Sequence, residues 1–201
     1  MPKKVIVLLA EGFEEVEALT PVDYLRRAGI DVSTAALSRN LTVKGSHGIP
    51  VNADLSLGSL FEGGKFDPAA WDAVVVPGGL PGADNLAASV ETQTLLKEMA
   101  AAKKLISAIC ASPARVLAPL GLLAGKKCTC YPGEEAAVAS SAGVEWKEDR
   151  VVVDDNLITS RGAGTAGEFA CAIIEKLAGE GEGKKVAVKV LLPPMPCAHS
   201  H

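Results

Sequence analysis

Short aliphatic and β-branched runs alternate along this chain with stretches of helical spacing, and that alternation narrows the folds open to it. Residues 5–10 are apolar without a break, the pattern of a parallel strand covered on both faces. Residues 31–37, 73–76, 104–109 and 157–160 read as further strands, with 127–131 and 150–153 as later ones. Helical spacing falls at 15–28, 91–102, from Ser112 onward with Pro113 in its first turn, and at 165–177. Pro21 lies inside the first of these, so that helix either bends there or begins there. Two short pieces, 41–44 and 48–51, form an antiparallel excursion, and 58–68 a loop. Residues 184–192 lean to helix. Strands alternating with helices predict an α/β three-layer sandwich, a mostly parallel sheet with helices on both faces. A single domain is expected over 1–192, followed by an irregular proline-rich tail, 193–201.

In such a fold the ligand site lies beyond the carboxyl ends of the strands. Those ends carry Glu11-Gly12, Pro77-Gly78-Gly79, Cys110-Ala111 and Ser160-Arg161-Gly162, four sequence-distant loops expected to share one crevice.

Composition removes several function classes. Of 201 residues, 20 are Lys or Arg and 24 Asp or Glu, a net charge of −4 with no basic field for nucleic acid. Aromatic residues, at 4%, are too few for a base-stacking platform. No apolar run reaches the ~18 residues that span a bilayer. The five cysteines are odd in number and include no CxxC. They read as reduced thiols of a cytoplasmic compartment, and the run 5–10 is too short for a signal-peptide core.

Cys110 stands where an apolar strand gives way to a helix, as in a nucleophile elbow. Amides and the positive dipole end at a helix start favour an anion there. Such a thiol can fall from about 8.5 to between roughly 3.5 and 7.5, and a value below about 7 is expected here. Position alone is equally satisfied by an inert, packed cysteine. Gly78-Gly79 lets backbone N–H groups approach a ligand, and with the Ala111 amide forms an oxyanion pocket; an ordinary turn accounts for the glycines as well. Glu14, Glu15 and Glu17 supply carboxyls near the first strand end. They read either as a solvated helix start or, if one is buried against the thiol, as a proton shuttle near neutrality.

The stretches 9–17 (LAEGFEEVE), 76–79 (VPGG), 108–113 (AICASP) and 159–165 (TSRGAGT) together resemble the ThiJ/PfpI superfamily, closest to its DJ-one-like branch, in order from about Lys4 to Leu192. The resemblance implies a flavodoxin-like sandwich, a homodimer and no cofactor. It implies an oxidation-sensitive Cys110, a protonated Glu17 hydrogen-bonded to its sulfur, and Gly78, Gly79 and Ala111 as the surrounding amides. The activity it implies is glyoxalase- or deglycase-like: a lyase or hydrolase acting on methylglyoxal-type 2-oxoaldehydes, or on glycated protein, in oxidative and carbonyl stress. The same residues also suit a redox-sensing protective protein or chaperone whose cysteine is oxidised to sulfinate.

Three positions depart from the pattern. Many members carry a histidine directly after the cysteine; Ala111 stands there, which removes the Cys–His pair and argues against peptidase activity. A histidine before the proline of a nearby loop is replaced by Tyr131, a poor base at neutral pH that joins Glu14 as a candidate auxiliary residue. A basic residue reaching across the dimer is replaced around His47.

Two other signals are weaker. Residues 162–167 fit G-x-G-x-x-G, but no following strand ends in the acid that a dinucleotide site needs, so tight helix–sheet packing explains the glycines. Cys128 and Cys130 lack further ligands at metal spacing, and Cys197, His199 and His201 offer only an adventitious tail site, so no metal is expected.

Overall fold

The computed structural model describes residues 2–193. Cys197, His199, His201 and the rest of the tail beyond Pro193 lie outside them. The chain runs β1 (Lys4–Leu9), α1 (Glu15–Arg27), β2 (Asp31–Ala36), β3 (Thr42–Lys44), β4 (Pro50–Asn52), β5 (Leu55–Ser56), β6 (Ala73–Val76), α2 (Gly82–Ala88), α3 (Val90–Ala101) and β7 (Leu105–Ile109). A π-helical turn, Pro113–Leu117, follows. Then come β8 (Lys127–Cys128), α4 (Glu135–Ala139), β9 (Glu145–Trp146), β10 (Val151–Asp154), β11 (Leu157–Ser160), α5 (Ala166–Ala178) and α6 (Glu182–Lys189).

Seven strands form the central sheet in the order β10-β11-β7-β6-β1-β2-β5. All pairs are parallel except β10 with β11 at the edge. The expected flavodoxin-like α/β sandwich is therefore the observed one. β1 shows why its sequence is apolar throughout. Ile6 and Leu8 point into a core with Leu86 of α2 and Leu95, Leu96 and Met99 of α3. Val5, Val7 and Leu9 point into a second core with Val22 and Leu25 of α1 and Phe169, Ile173 and Ile174 of α5. All five β1 side chains are fully buried, each contributing about 1.5–3 kcal/mol. Among the described residues no helix is long and apolar enough to cross a membrane.

Local differences from the sequence reading have local causes. Helix α1 starts at Glu15 and continues through Pro21. Proline there merely leaves the Glu17 carbonyl without its helical donor. The segment after Ser112 is a five-residue π turn rather than a long helix, closed by Ala118 N–H to the Pro113 carbonyl. Of residues 127–131 only Lys127 and Cys128 pair as a strand, against β9. Beyond them the chain leaves to give the Tyr131 N–H to the Cys110 carbonyl at 2.8 Å. The antiparallel excursion is β3 and β4, Val43 opposite Val51.

Candidate active site

The carboxyl ends of β1, β6, β7 and β11, adjacent in the sheet, bring the four loops together. Cys110 follows β7 with φ +65°, a left-handed conformation that costs a non-glycine residue about 1–3 kcal/mol and persists only when its surroundings enforce it. Its N–H donates to the Ser160 carbonyl at 2.9 Å and its carbonyl accepts from Tyr131, so both neighbouring segments hold the bend. The buried Ser112 hydroxyl donates to the Pro77 carbonyl at 2.6 Å, tying this elbow to the glycine loop. Cys110 thus has a sharp left-handed bend after its strand, but a five-residue π turn, not the expected long helix, follows it.

Glu17 reaches the sulfur from α1. Its residue is 1% exposed. Oε2 accepts the Gly78 N–H at 2.9 Å, and the Ala163 amide and the Cys110 thiol lie close enough to favour the ionised carboxyl. Gly78 is where the chains meet most closely. A Cβ there would lie 2.7 Å from both Cys110 Cβ and Glu17 Oε2, so only glycine fits. At Gly79 φ is +87°, and a Cβ would collide with the Glu14 backbone nitrogen. The amides of Gly79 and Ala111 lie near the Cys110 sulfur and favour its anion. The Gly78 amide, by contrast, is spent on Glu17.

Burial pushes the Glu17 carboxyl up to about 7, helped by the nearby Glu14 and opposed by its hydrogen bonds to Cys110 and the Gly78 and Ala163 amides. Burial, and then the Glu17 charge and hydrogen bond, push the Cys110 thiol up to about 12, while the Ala111 and Gly79 amides pull it down. This corrects the expectation that the thiol falls below about 7. The five-residue turn after Ser112 lacks the dipole of a full helix, and burial, with the Glu17 carboxyl beside the sulfur, outweighs the two amides. The two groups titrate as one unit that sheds its first proton near neutrality and its second far above. Across the interval the carboxyl is ionised and the thiol keeps its proton.

The remaining candidates divide. Glu14 caps α1, its Oε2 accepting the Glu17 N–H at 2.6 Å, while its own N–H donates to the Gly78 carbonyl at 3.0 Å. It is a brace for the glycine loop and a charge beside Glu17. Tyr131 is half exposed, and its ring lies against Gly162. The Gly162 N–H is near the Thr165 hydroxyl at 3.1 Å, so it serves the turn into α5.

One partnership escapes a reading of the sequence. Buried Glu15 accepts the His47 N–H on Oε1 at 2.8 Å, and its Oε2 lies 2.9 Å from His47 Nδ1. Burial raises the Glu15 carboxyl, but the bonds from the His47 ring, its own backbone, and the His47 and Ile49 amides outweigh it and bring it to about 2. Bonding to Glu15 raises His47 in turn. Among the described residues, Glu14, Glu15 and His47 are the one grouping whose ligand atoms lie within 4.8 Å of one another. The Glu15 oxygens and His47 Nδ1 already satisfy each other, which leaves a poor donor set for a metal ion.

Residues 3–176 match the model of the DJ-1/PfpI family. The chain belongs to that family. It is 40% identical over 191 residues to the Parkinson disease protein 7 homolog of Danio rerio, covering 95% of this chain and 96% of that protein. It is 40% identical over 189 residues to Protein DJ-1 homolog B of Arabidopsis thaliana, 94% of this chain but only 41% of that longer protein. The Deglycase PH1704 of Pyrococcus horikoshii is 35% identical over 158 residues, 79% of this chain and 89% of the relative. The crystal structure of Drosophila melanogaster DJ-1beta superposes with a TM-score of 0.86 at 40% identity, covering 95% of this chain and 98% of that one. The superfamily resemblance carried by the four motifs thus stands for this DJ-1/PfpI chain over most of its length.

Proposed function

We propose that the chain is a cofactor-independent glyoxalase- or deglycase-like enzyme, working as a homodimer in the reducing cytoplasm on 2-oxoaldehydes such as methylglyoxal or on their adducts with protein. The observation that carries this reading is the buried Glu17 carboxyl set against Cys110, with the Gly78 amide fixing it at 2.9 Å. The Gly79 and Ala111 amides pull the thiol down, which eases loss of its proton to the Glu17 carboxylate. The deglycase name of the Pyrococcus relative supports the same chemistry.

The Glu17 carboxylate takes the Cys110 proton as the sulfur adds to the aldehyde carbon, forming a C–S bond. The new oxyanion lies against the Gly79 and Ala111 amides and takes the Glu17 proton, giving a hemithioacetal. The Glu17 carboxylate then removes the hydrogen on that carbon, producing an enediol, and returns the proton to the adjacent carbon. The product is a thioester of lactate on Cys110. Water hydrolyses it, restoring the thiol and releasing lactate. The sum is methylglyoxal plus water to lactate, with the oxidation of one carbon balanced by reduction of its neighbour.

Lactate release from methylglyoxal by the purified protein, lost in Cys110→Ser and in Glu17→Gln, is the expected result. No turnover in the wild type, with Cys110 gaining two oxygen atoms under mild peroxide, would replace this reading with the redox-sensing one.

A further inference from the structure

A cleft of about 500 Å³ opens beside the reacting pair, lined by Tyr131, Glu148, Arg150, Arg161, Gly162 and neighbours through Thr165. Its size is that of a small-molecule site. Gly162 is the wall it shares with the pair: a Cβ there would be 3.5 Å from Tyr131 Cδ2 on one side and 3.9 Å from Glu17 Oε1 on the other. A substrate whose carbonyl sits at Cys110 therefore has room to extend over Gly162.

The charges in the cleft are unequal in availability. Arg150 is committed: Nε bonds both Glu168 oxygens, at 3.0 and 2.8 Å, and NH2 bonds the Gly164 carbonyl. Arg161 is not. Among the described residues only its NH1 is engaged, with the Glu148 carbonyl at 3.0 Å and the Glu148 carboxylate at 3.5 Å. The Arg161 side chain is 19% exposed, whereas that of Glu148 is 81% exposed. Such a loose surface pair is worth about 0–1 kcal/mol, so an incoming anion displaces Glu148 at little cost. The remaining Nε and NH2 donors then present the planar fork that matches a carboxylate or phosphate.

We propose that this cleft is a subsite for an anionic group carried by the carbonyl substrate, with Arg161 as its specificity-determining residue and Glu148 as the displaceable occupant. The preferred substrates are then 2-oxoaldehydes bearing a phosphate or carboxylate, rather than methylglyoxal itself. This assignment rests on the activity proposed above, and two measurements separate them.

The first compares kcat/KM for hydroxypyruvaldehyde phosphate and hydroxypyruvaldehyde, which differ only in the phosphate. The wild type is expected to prefer the phosphorylated form at least tenfold. Arg161→Gln should erase the preference, mainly through KM, and Glu148→Gln should increase it severalfold. No wild-type preference, or a ratio untouched by Arg161→Gln, overturns the subsite. The second is a calorimetric titration with glycerol 3-phosphate, which needs no turnover. Binding that weakens at least tenfold in Arg161→Gln supports the subsite even if neither aldehyde is consumed, a result that defeats only the proposed activity. Absent or unchanged binding defeats the subsite.

Discussion

The Gly78 N–H donates to Glu17 Oε2 at 2.9 Å, and the same glycine has no room for a methyl group between that oxygen and Cys110 Cβ. One backbone position therefore sets the separation of carboxyl and thiol. Gly78→Ala must push one of them away. Overpacking of this kind costs about 1–3 kcal/mol, which urea unfolding will register. Methylglyoxal turnover should fall more than tenfold, because the displaced carboxyl no longer reaches the substrate carbon.

Alkylation of Cys110 reads the coupling of the pair directly. Its rate with iodoacetamide should keep rising into alkaline pH, because burial and Glu17 hold the thiol up at about 12. In Glu17→Gln the carboxylate charge that raises the thiol is gone. The midpoint should move downward, with labelling at pH 8 quickened severalfold. A midpoint unmoved by the substitution would show that the two groups are not coupled.

Stability should carry the mark of the same carboxyl. Glu17 titrates at about 7 when folded against a reference of 4.5. The folded state thus holds a proton that the unfolded chain releases. The stability it contributes is complete below 4.5 and lost as pH rises through 7. At about 1.4 kcal/mol per unit the loss is about 3–4 kcal/mol. Glu17→Gln has no charge to bury, so its Tm should exceed that of the wild type at pH 8 and meet it near pH 4.5. Thermal unfolding across this range checks the sign.

Glu15 behaves oppositely. Its folded value of about 2 lies below the reference of 4.5, so its contribution is present above 4.5 and disappears as pH falls through 2. Glu15→Gln should lower Tm by several degrees at pH 6, and the gap should close toward pH 2. His47→Ala, which removes the ring partner but keeps the backbone donor, should produce part of that loss.

The strands were legible where both faces are buried. Residues 73–76 and 157–160 end where the sequence predicts, each a short run rich in apolar and β-branched residues stopped by a glycine-containing loop. Helix α2 was not legible: it starts on Gly82 after Pro81, a weak helix opening, and is held by contacts with the turn after Ser112. At the site, residue order suggested Cys110, while the choice of Glu17 among three acids came from the superfamily resemblance. Spacing alone does not say that Glu17 turns inward while Glu14 caps the helix. The Glu15–His47 bond spans 32 residues through β3, so no local pattern announces it. The thiol's direction of shift failed for a related reason, since its burial and its carboxyl neighbour both come from segments remote in sequence.

The left-handed turn at Cys110 exists before any substrate arrives. Glycine would adopt it freely, so the chain gives up some resistance to heat by keeping a sulfur at its tightest bend. The strain held at Cys110 is what the nucleophilic role proposed above would account for.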